Sequence, residues 1–585
     1  ACPAALSGLS AVHRAHFAAG IRQETGRPVV VVCADEGEAE RMTRDLAALS
    51  GEEVRTLSAR EFTFHNAAVV SRQYEHRRLS VLRALAAGEC PLLVCTAEAV
   101  LQRTLPKALL EGASRVLRMG ESHDLNQLAE TLTAAGYTRC EQVEGAGQFA
   151  LRGGILDFFS PSQAKPVRVE FFGDEIDAMG LFDPDTQRRV ENIGTAEILP
   201  AAEVLPQLSP GGFAGLVELL DGVISRAKRR KGSDKLLTTL AEDREKLASG
   251  LTFPAMDRYM ALIYPQMATA ADYFPADAVV VLSESPRVAE RGKNYLWQLT
   301  EDAKTLMERG ELAGELAEFA RTFEELAEVL EAWPVCYLDA FTSSRYPRRP
   351  RTLLNLLAKQ LPSYGASLET AVSDLAHYVS DGFRTVVLVG SEQRALNLQA
   401  LLREQGRKTA VDFQLHDLPA HGQAVIAVGG LTAGMEYPVG RLAVLTEGQS
   451  ILGKKRKSKP VTNRQKLDSY ADLSPGDLVV HEHHGVGRFL EMTKMSVDGV
   501  EKDYVKIAYA GADVLYVPAT QLDLVSKYIG SGEDANETKK LSKLGGTDWE
   551  KAKTRAKKAV KDLAKGLIQL YAQRQRQPGF AFSPD

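Results

Sequence analysis

The sequence has no cysteine arrangement that would hold a metal ion or a redox pair. Six cysteines occur among the 585 residues, and none stands in a CxxC spacing, which predicts reduced structural thiols in a cytoplasmic protein. No apolar run is long enough to cross a membrane, and the N-terminus carries no signal-peptide pattern. The HExxH and GxSxG signatures are also missing, so we expect neither of these hydrolase sites.

A lysine is missing where a nucleotide-binding loop would need one. The first lysine of the chain is Lys107, and no GxxxxGK[ST] motif occurs; such a loop needs a lysine at the phosphates and a serine or threonine at magnesium. The corresponding stretch, Leu6–His13, keeps only the turn-like pair Ser7-Gly8. The acidic position after the apolar run Val279–Leu282 reads Ser283-Glu284-Ser285. We therefore expect an ATPase-type fold without its nucleotide site and no catalytic activity of this chain alone.

An excess of basic charge is missing as well. The net charge is −5 and 25% of the residues are charged, so the whole chain is not a basic nucleic-acid binder and any such role has to be local. The length predicts roughly four domains of about 150 residues each. The apolar content of 44% is ordinary for a globular protein.

Two short patterns imitate binding sites without the structural context that those sites need. Gly145–Ala150 (GAGQFA) matches a dinucleotide-binding glycine pattern, but strand residues follow it instead of a helix, so we interpret it as a hairpin turn. His481, His483 and His484 lack companions at ligand spacing. A continuous strand would put His484 on the face opposite the other two, so we expect sheet-edge histidines and no metal.

Strand and helix patterns alternate along the chain in distinct blocks. Pro28–Cys33 and Pro91–Thr96 are apolar runs typical of buried strands, and Glu36–Leu49 has helical spacing, which predicts an α/β fold with a parallel sheet. The predicted domains are 1–118 (α/β), 119–205 (β-rich), 206–332 (mostly helical), 335–450 (small α/β), 451–470 (basic linker), 471–530 (small β-barrel) and 546–578 (basic helix).

The stretch from Arg152 to Arg189 is a run of short strands broken by proline, Gly-Asp and Asp-Pro turns. Period-two geometry puts Arg168, Glu170 and Phe172 on one face of one strand. With Arg152, these residues offer two guanidinium forks around a large aromatic ring, which is the chemistry of a protein interface. The alternative is that Phe172 lies in the core and both arginines are solvated surface charge.

A second run of short strands lies between residues 473 and 520. It reads LSPGDLVVHEHHGVGRF over 473–489, KDYVKIAY over 502–509 and DVLYVPAT over 513–520. Four strands with glycine turns predict a small SH3-like barrel, whose free edge can pair with a partner strand. Met495 lies in this run, and the alternative to any surface role is that it forms part of the barrel core.

These phrases resemble two known domains. RVEFFGDEID and FDPDT resemble the UvrA-binding domain shared by the repair protein UvrB and the transcription-repair coupling factor family. That resemblance implies that Arg152, Arg168 and Phe172 contact UvrA. The 473–520 run resembles the RNA-polymerase-interacting domain of the same coupling factor family, which CarD-type regulators share. It implies docking on the polymerase β subunit, with Met495 at a contact position.

The resemblance to the coupling factor family extends over essentially the whole chain. It implies a multidomain α/β protein: a UvrB-like, degenerate helicase-type α/β domain with an inserted β-rich UvrA-binding domain, a second small α/β domain, an SH3/Tudor-like barrel and a basic C-terminal helix. UvrB's tyrosine-rich DNA-clamping hairpin is not matched, since Arg60–Leu85 holds only Tyr74. The implied function is transcription-coupled DNA repair in the bacterial cytoplasm, by binding stalled polymerase and recruiting UvrA.

The resemblance also implies that the ATP-dependent translocase motor lies outside this chain. ATP, magnesium and most DNA contacts are then expected in that other segment, and no cofactor is expected here. The lysines of the 546–578 helix either touch DNA phosphates or form a solvated face. Two alternative functions stay open: a DNA repair helicase of the UvrB kind, and a CarD-like transcription regulator with the N-terminal half as scaffold.

Overall fold

The protein is described here from a computed structural model. The described residues are 2–64, 72–229, 233–365, 368–448, 464–466, 476–481, 484–497, 500–511, 513–518, 525–528 and 541–543. The chain divides into two compact units, 1–451 and 452–585. Within the described residues, no helix is both long and apolar enough to cross a membrane.

The core of the first unit is a seven-stranded sheet whose neighbouring strands are all parallel. Three of its central strands, Val29–Cys33, Leu92–Thr96 and Val279–Ser283, are buried along their whole length, because helices cover both faces of such a sheet. The predicted parallel α/β fold is confirmed. In spatial order the strands are Thr352–Asn355, Ala4–Ser7, Val335–Leu338, Val279–Ser283, Val29–Cys33, Leu92–Thr96 and Val54–Leu57.

Local signals in the sequence explain where these helices begin and end. The helix Glu36–Ser50 begins at Asp35, whose side chain accepts a hydrogen bond from the Glu38 amide, and ends at Gly51 in the left-handed region. A capping box of Thr322 and Glu325 starts Phe323–Val329. The α-helices around the first sheet are Ala11–Thr25, Glu36–Ser50, Gln73–Ala86, Ala97–Leu101, Lys107–Ala113, Gly212–Ala227, Asp234–Ala248, Met260–Ile263, Ser285–Glu308 and Phe323–Val329.

A strand-rich domain is inserted between the fifth helix and the helical region that starts at Gly212. The helix Leu125–Ala134 packs Leu128 and Leu132 onto the core face of its six-stranded sheet. Neighbouring strands are antiparallel except the last pair. In spatial order they are Arg189–Asn192, Glu175–Phe182, Val167–Phe172, Ile155–Phe158, Gln148–Arg152 and Thr138–Arg139.

The incoming and outgoing chain segments of this inserted domain pair with each other. Arg115–Arg118 and Thr195–Ile198 form an antiparallel two-stranded sheet, with Arg115 opposite Ile198 and Arg118 opposite Thr195. Leu117, Ala196 and Ile198 join the apolar core of the inserted domain. The chain therefore enters and leaves the inserted domain through this two-stranded sheet, which we call the clasp.

A further six-stranded sheet, called the third sheet below, begins later in the chain than the sequence patterns predicted. The predicted 335–450 unit starts with Val335–Leu338 and Thr352–Asn355, but both strands pair in parallel within the first sheet. The order of the third sheet is Lys359–Leu361, Gly434–Tyr437, Leu442–Thr446, Arg384–Val389, Ala424–Val428 and Ala410–Val411. Its helices are Leu368–Ser380 and Glu392–Glu404.

The second unit contains a six-stranded antiparallel sheet around a small apolar core that includes Val479, Phe489, Val505 and Val517. Its strand order is Arg464–Lys466, Val525–Tyr528, Leu478–His481, Gly485–Val497, Val500–Ala508 and Val514–Pro518. Apart from 464–466, the predicted basic linker 451–470 lies outside the described residues, as does the predicted 546–578 helix.

Candidate protein-docking site

The inserted domain presents one face of its six-stranded sheet away from its core. Strand pairing aligns Arg152, Ile155 and Glu170 in one row across three strands. The next row on the same face places Asp157 opposite Arg168. The intervening rows, which include Leu156 and Val169, are buried in the core. The predicted alternation of faces along this strand run is therefore confirmed.

Arg168 is held by a carboxylate of its own domain. Its Nε lies 2.8 Å from Asp157 Oδ1 and its Nη2 lies 2.8 Å from Asp157 Oδ2, a bidentate ion pair. The Asp157 side chain is only 1% exposed and that of Arg168 18%. The hydrogen bonds to Asp157 raise the pKa of Arg168, although partial burial opposes that shift. The guanidinium is therefore locked in place within the sheet.

Contacts with Phe182 and Gln187 also hold the Arg168 guanidinium in position. Its carbon lies 4.6 Å from the centre of the Phe182 ring, at cation–π distance. Its Nη1 donates to the backbone carbonyl of Gln187 at 3.2 Å. Gln187 has a φ of 58°, in the left-handed region that few residues other than glycine adopt. A specific turn conformation thus supports this arginine.

Arg152 and Phe172 are the open members of the face. Arg152 Nη2 lies 2.9 Å from Asp157 Oδ2, yet 53% of the arginine side chain is exposed. Phe172 is 84% exposed, so nearly the whole ring is accessible to a partner. The alternative that Phe172 lies in the core is wrong. The alternative for the arginines is also wrong for Arg168, which is engaged rather than solvated.

Two tight hairpins bring Arg152 and Phe172 to the same end of the sheet. Arg152 precedes the Gly153-Gly154 loop, and Phe172 precedes Gly173-Asp174. Gly153 and Gly173 have φ values of 59° and 64°, which these two-residue turns require. The Phe171 amide donates to the Gly154 carbonyl at 2.8 Å, so the two loops lie side by side. The exposed ring and the exposed guanidinium therefore form one surface, which we call the 152/172 face.

Sequence reasoning missed Asp157, the residue that organises this face. It is fully buried and accepts hydrogen bonds from both arginines. Alternation along the strand does mark Asp157 as lying on the outward face. What the sequence does not contain is the register that sets Asp157 opposite Arg168, since register depends on how the hairpins close.

The loop that follows the first strand has no room for a phosphate. The amides of Gly8 and Leu9 donate to the carbonyls of Ala340 and Asp339, both at 3.1 Å. A Cβ built on Gly8 would lie 1.9 Å from the Leu356 carbonyl oxygen, so the backbone of a neighbouring segment covers the loop. Because a phosphate-binding loop presents free amides to its ligand, this geometry argues against nucleotide binding at that place.

A buried arginine fills the space beside that loop. Arg14 Nε donates to Ser283 Oγ at 2.8 Å, and its Nη2 lies 3.2 Å from Glu38 Oε1. Its Nη1 is paired with Glu284, the acidic residue that follows the strand Val279–Ser283. Burial opposes the charge of Arg14, but Glu284 and Glu38 outweigh it and raise the pKa of the guanidinium. The buried guanidinium is thus paired with two carboxylates of its own unit.

In the second unit, Met495 lies on the long strand Gly485–Val497, opposite Lys502 on the next strand. Its side chain lies outside what the structure describes, so whether it is a contact or a core residue stays open. The strand Val514–Pro518 is at the edge of the sheet, where the side chain of Tyr516 is exposed.

The histidines near the start of this sheet differ from the prediction. The strand ends at His481, and the rings of His481 and His484 lie 4.7 Å apart instead of on opposite faces. The two histidines do not belong to one continuous strand, because the next strand begins at Gly485 and pairs back with His481. Within the described residues, no group of three histidine, cysteine or acidic side chains is placed to hold a metal.

Two segments of the chain are similar to known domains. Residues 116–203 match the UvrB interaction domain, and residues 473–529 match the CarD-like/TRCF RID domain. The chain is 30% identical over 588 residues to the transcription-repair-coupling factor of Bacillus subtilis (strain 168). The alignment covers 99% of this chain and 49% of that protein.

This chain is similar to the transcription-repair-coupling factors over about half of their length. The coupling factor of Staphylococcus aureus (strain MRSA252) is likewise 30% identical, over 589 residues. The chain spans about half the length of these relatives. The inferred resemblance to the transcription-repair-coupling factors is confirmed, and the 152/172 face lies inside the region that matches the UvrB interaction domain.

Proposed function

We propose that this chain is a two-handed adaptor in transcription-coupled DNA repair. The inserted domain docks UvrA, and the β-sheet domain of the second unit docks the β subunit of RNA polymerase. The observation that carries the proposal is the presence, in one chain, of the UvrB interaction domain at 116–203 and the CarD-like/TRCF RID domain at 473–529.

The UvrA contact is assigned to the 152/172 face. Its exposed phenylalanine supplies apolar area for a partner to desolvate, and the exposed fork of Arg152 supplies a charged hydrogen-bond donor beside it. Arg168 acts through Asp157: it fixes the carboxylate that positions Arg152. Phe172 and Arg152 are therefore the direct contacts in this proposal, and Arg168 is a positioning residue.

The polymerase contact is assigned to the sheet of the second unit, with Met495 as a contact residue. Support comes from the match over 473–529 and from an edge strand, Val514–Pro518, that is able to receive a partner strand. A CarD-like regulator would use the same sheet, so this arm alone does not separate the two functions. UvrA binding separates them.

A UvrB-like helicase is the less favoured function. The amides of Gly8 and Leu9 are engaged by backbone carbonyls, and Arg14 is engaged by Glu38 and Glu284. A helicase of this kind would bind ATP at the loop after the strand Ala4–Ser7. The proposed role of the chain is therefore to dock partner proteins without hydrolysing ATP itself.

The deciding experiment is a pair of pull-downs from the purified chain, with UvrA and with polymerase β, both without nucleotide. We expect both partners to bind. Binding of polymerase β without UvrA would replace the adaptor with a CarD-like regulator. Binding of neither partner by a folded sample would overturn both arms, and DNA-stimulated ATP hydrolysis would restore the helicase.

A further inference from the structure

A ten-residue stretch of the first unit runs along the edges of two sheets in succession. Thr352–Asn355 is the edge strand of the seven-stranded sheet, and Lys359–Leu361 is the edge strand of the third sheet, as the described residues define them. An edge strand carries outward backbone N–H and C=O groups that can pair with another chain. The segment 352–361 therefore offers two short edges, 352–355 and 359–361, to an added strand.

The side chains of this segment make the edge unusually apolar. Leu353, Leu354 and Leu357 are 60%, 51% and 67% exposed, whereas Leu356 and Ala358 pack inward on the core below the sheet. Natural proteins normally protect an edge by placing charged residues within the strand or by covering it. Among the described residues no further strand covers this edge, and three exposed leucines on it are typical of a surface that a partner buries.

The charge around the segment selects the kind of partner. Residues 345–359 contain Arg345, Arg348, Arg349, Arg351 and Lys359 and no acidic residue. Arg348 pairs with Glu331 at 3.2 Å and Lys359 with Glu436 at 3.5 Å. The guanidinium groups of the other three arginines have no partner among the described side chains. A second copy of this chain would bring like charges together, so self-pairing is disfavoured.

A cavity opens directly beside the start of the edge strand. It has a volume of about 360 Å³, and its lining includes Trp333, Tyr337, Arg348 and Arg351. The lining also includes apolar side chains of the helix Phe323–Val329 and of Leu330. Arg351 belongs to both the cavity and the basic flank. An apolar side chain of a bound strand therefore has a place to anchor next to the arginines.

We propose that residues 345–361 bind an extended acidic segment of a partner protein by strand addition. The partner's backbone pairs along the strands 352–355 and 359–361, its apolar side chains cover the exposed leucines, and its carboxylates meet Arg349 and Arg351. This surface is distinct from the 152/172 face and from the second unit. It gives the chain a third docking site, which selects its partner segment mainly by negative charge.

The test uses the whole chain and a fluorescein-labelled peptide of alternating valine and glutamate, long enough to span 352–361. We expect saturable binding in fluorescence anisotropy, together with slower amide exchange at 353–355. The double variant Arg349→Glu/Arg351→Glu should weaken binding by roughly tenfold or more. Leu354→Lys should weaken it as well, since a lysine cannot be covered by the same apolar side chain.

Matched controls come from exposed residues elsewhere in the first unit. Arg407→Glu and Leu251→Lys change an exposed arginine and an exposed leucine away from the edge, and both should leave peptide affinity unchanged. The proposal is overturned by absent binding, by equal affinity for a valine–lysine peptide, or by equal loss in the controls. Preferential binding of single-stranded DNA at the same arginines would also overturn it.

Discussion

At the residue scale, Phe172 offers the cleanest separation of binding from folding. Its ring touches little of its own domain, so Phe172→Ala should leave the melting temperature unchanged. UvrA affinity should fall by about 1–3 kcal/mol, or roughly ten- to a hundredfold, as for other interface anchors. Phe341→Ala, at another phenylalanine that is 62% exposed, is the matched control in titration calorimetry and should bind normally. Undiminished affinity of Phe172→Ala would remove this residue from the interface.

The two arginines of the same face should behave differently. Arg168 binds Asp157 through two of its nitrogens, whereas Arg152 binds it through one. Arg168→Glu would place a second carboxylate against buried Asp157 and should destabilise the inserted domain by about 3–5 kcal/mol. Arg152→Glu, at a half-exposed side chain, should cost less stability and mainly reduce UvrA affinity. Denaturant unfolding of both variants measures the difference, and equal loss of stability would contradict the assigned roles.

A third residue, Asp339, links stability to pH. Burial raises its pKa to about 7, while two hydrogen bonds from Ser285 oppose that shift. The folded protein therefore binds a proton that the unfolded chain has released between about pH 4 and pH 7, so this group's contribution to stability falls as pH rises through that window. Asp339→Asn should reduce the pH dependence of the free energy of unfolding in this window and stabilise the protein at alkaline pH. An unchanged slope in pH-dependent unfolding would show that Asp339 does not titrate there.

At the element scale, sequence patterns located the strands and helices well but did not assign them to sheets. Apolar runs such as Val29–Cys33 and Ala424–Val428 are readable because both faces of a parallel strand are buried. That Val335–Leu338 and Thr352–Asn355 join the first sheet depends on pairing with Ala4–Ser7, hundreds of residues away. In the site, the exposed arginine and phenylalanine were foreseeable, but the buried carboxylate between the arginines depends on register.

The loop after the first strand yields a prediction at the same scale. Since its amides and the neighbouring Arg14 are already engaged, millimolar ATP with magnesium should leave the melting temperature of the first unit unchanged. Ligand binding to the folded state alone would raise it. Differential scanning fluorimetry with and without nucleotide is sufficient, and a reproducible increase would show that the loop opens.

At the scale of the whole molecule, the two proposed arms should be separable by mutation. Met495→Arg should abolish binding to polymerase β and leave UvrA binding intact, because the residue lies in the second unit and the 152/172 face in the first. Surface plasmon resonance with each partner gives both affinities from one preparation. Loss of both interactions, or a lowered melting temperature of the second unit, would mean that Met495 is part of the core.

The clasp between Arg115–Arg118 and Thr195–Ile198 has a mechanical consequence. Arg115 and Ile198 lie opposite each other at the end where the chain enters and leaves, so tension between the flanking helices would open this pair from that end, one hydrogen bond after another. Such unzipping needs little force compared with shearing strands past each other. The strands of the 152/172 face all lie between the two strands of this pair in the chain, so tension on the flanking segments would reach them only after the four residue pairs had separated.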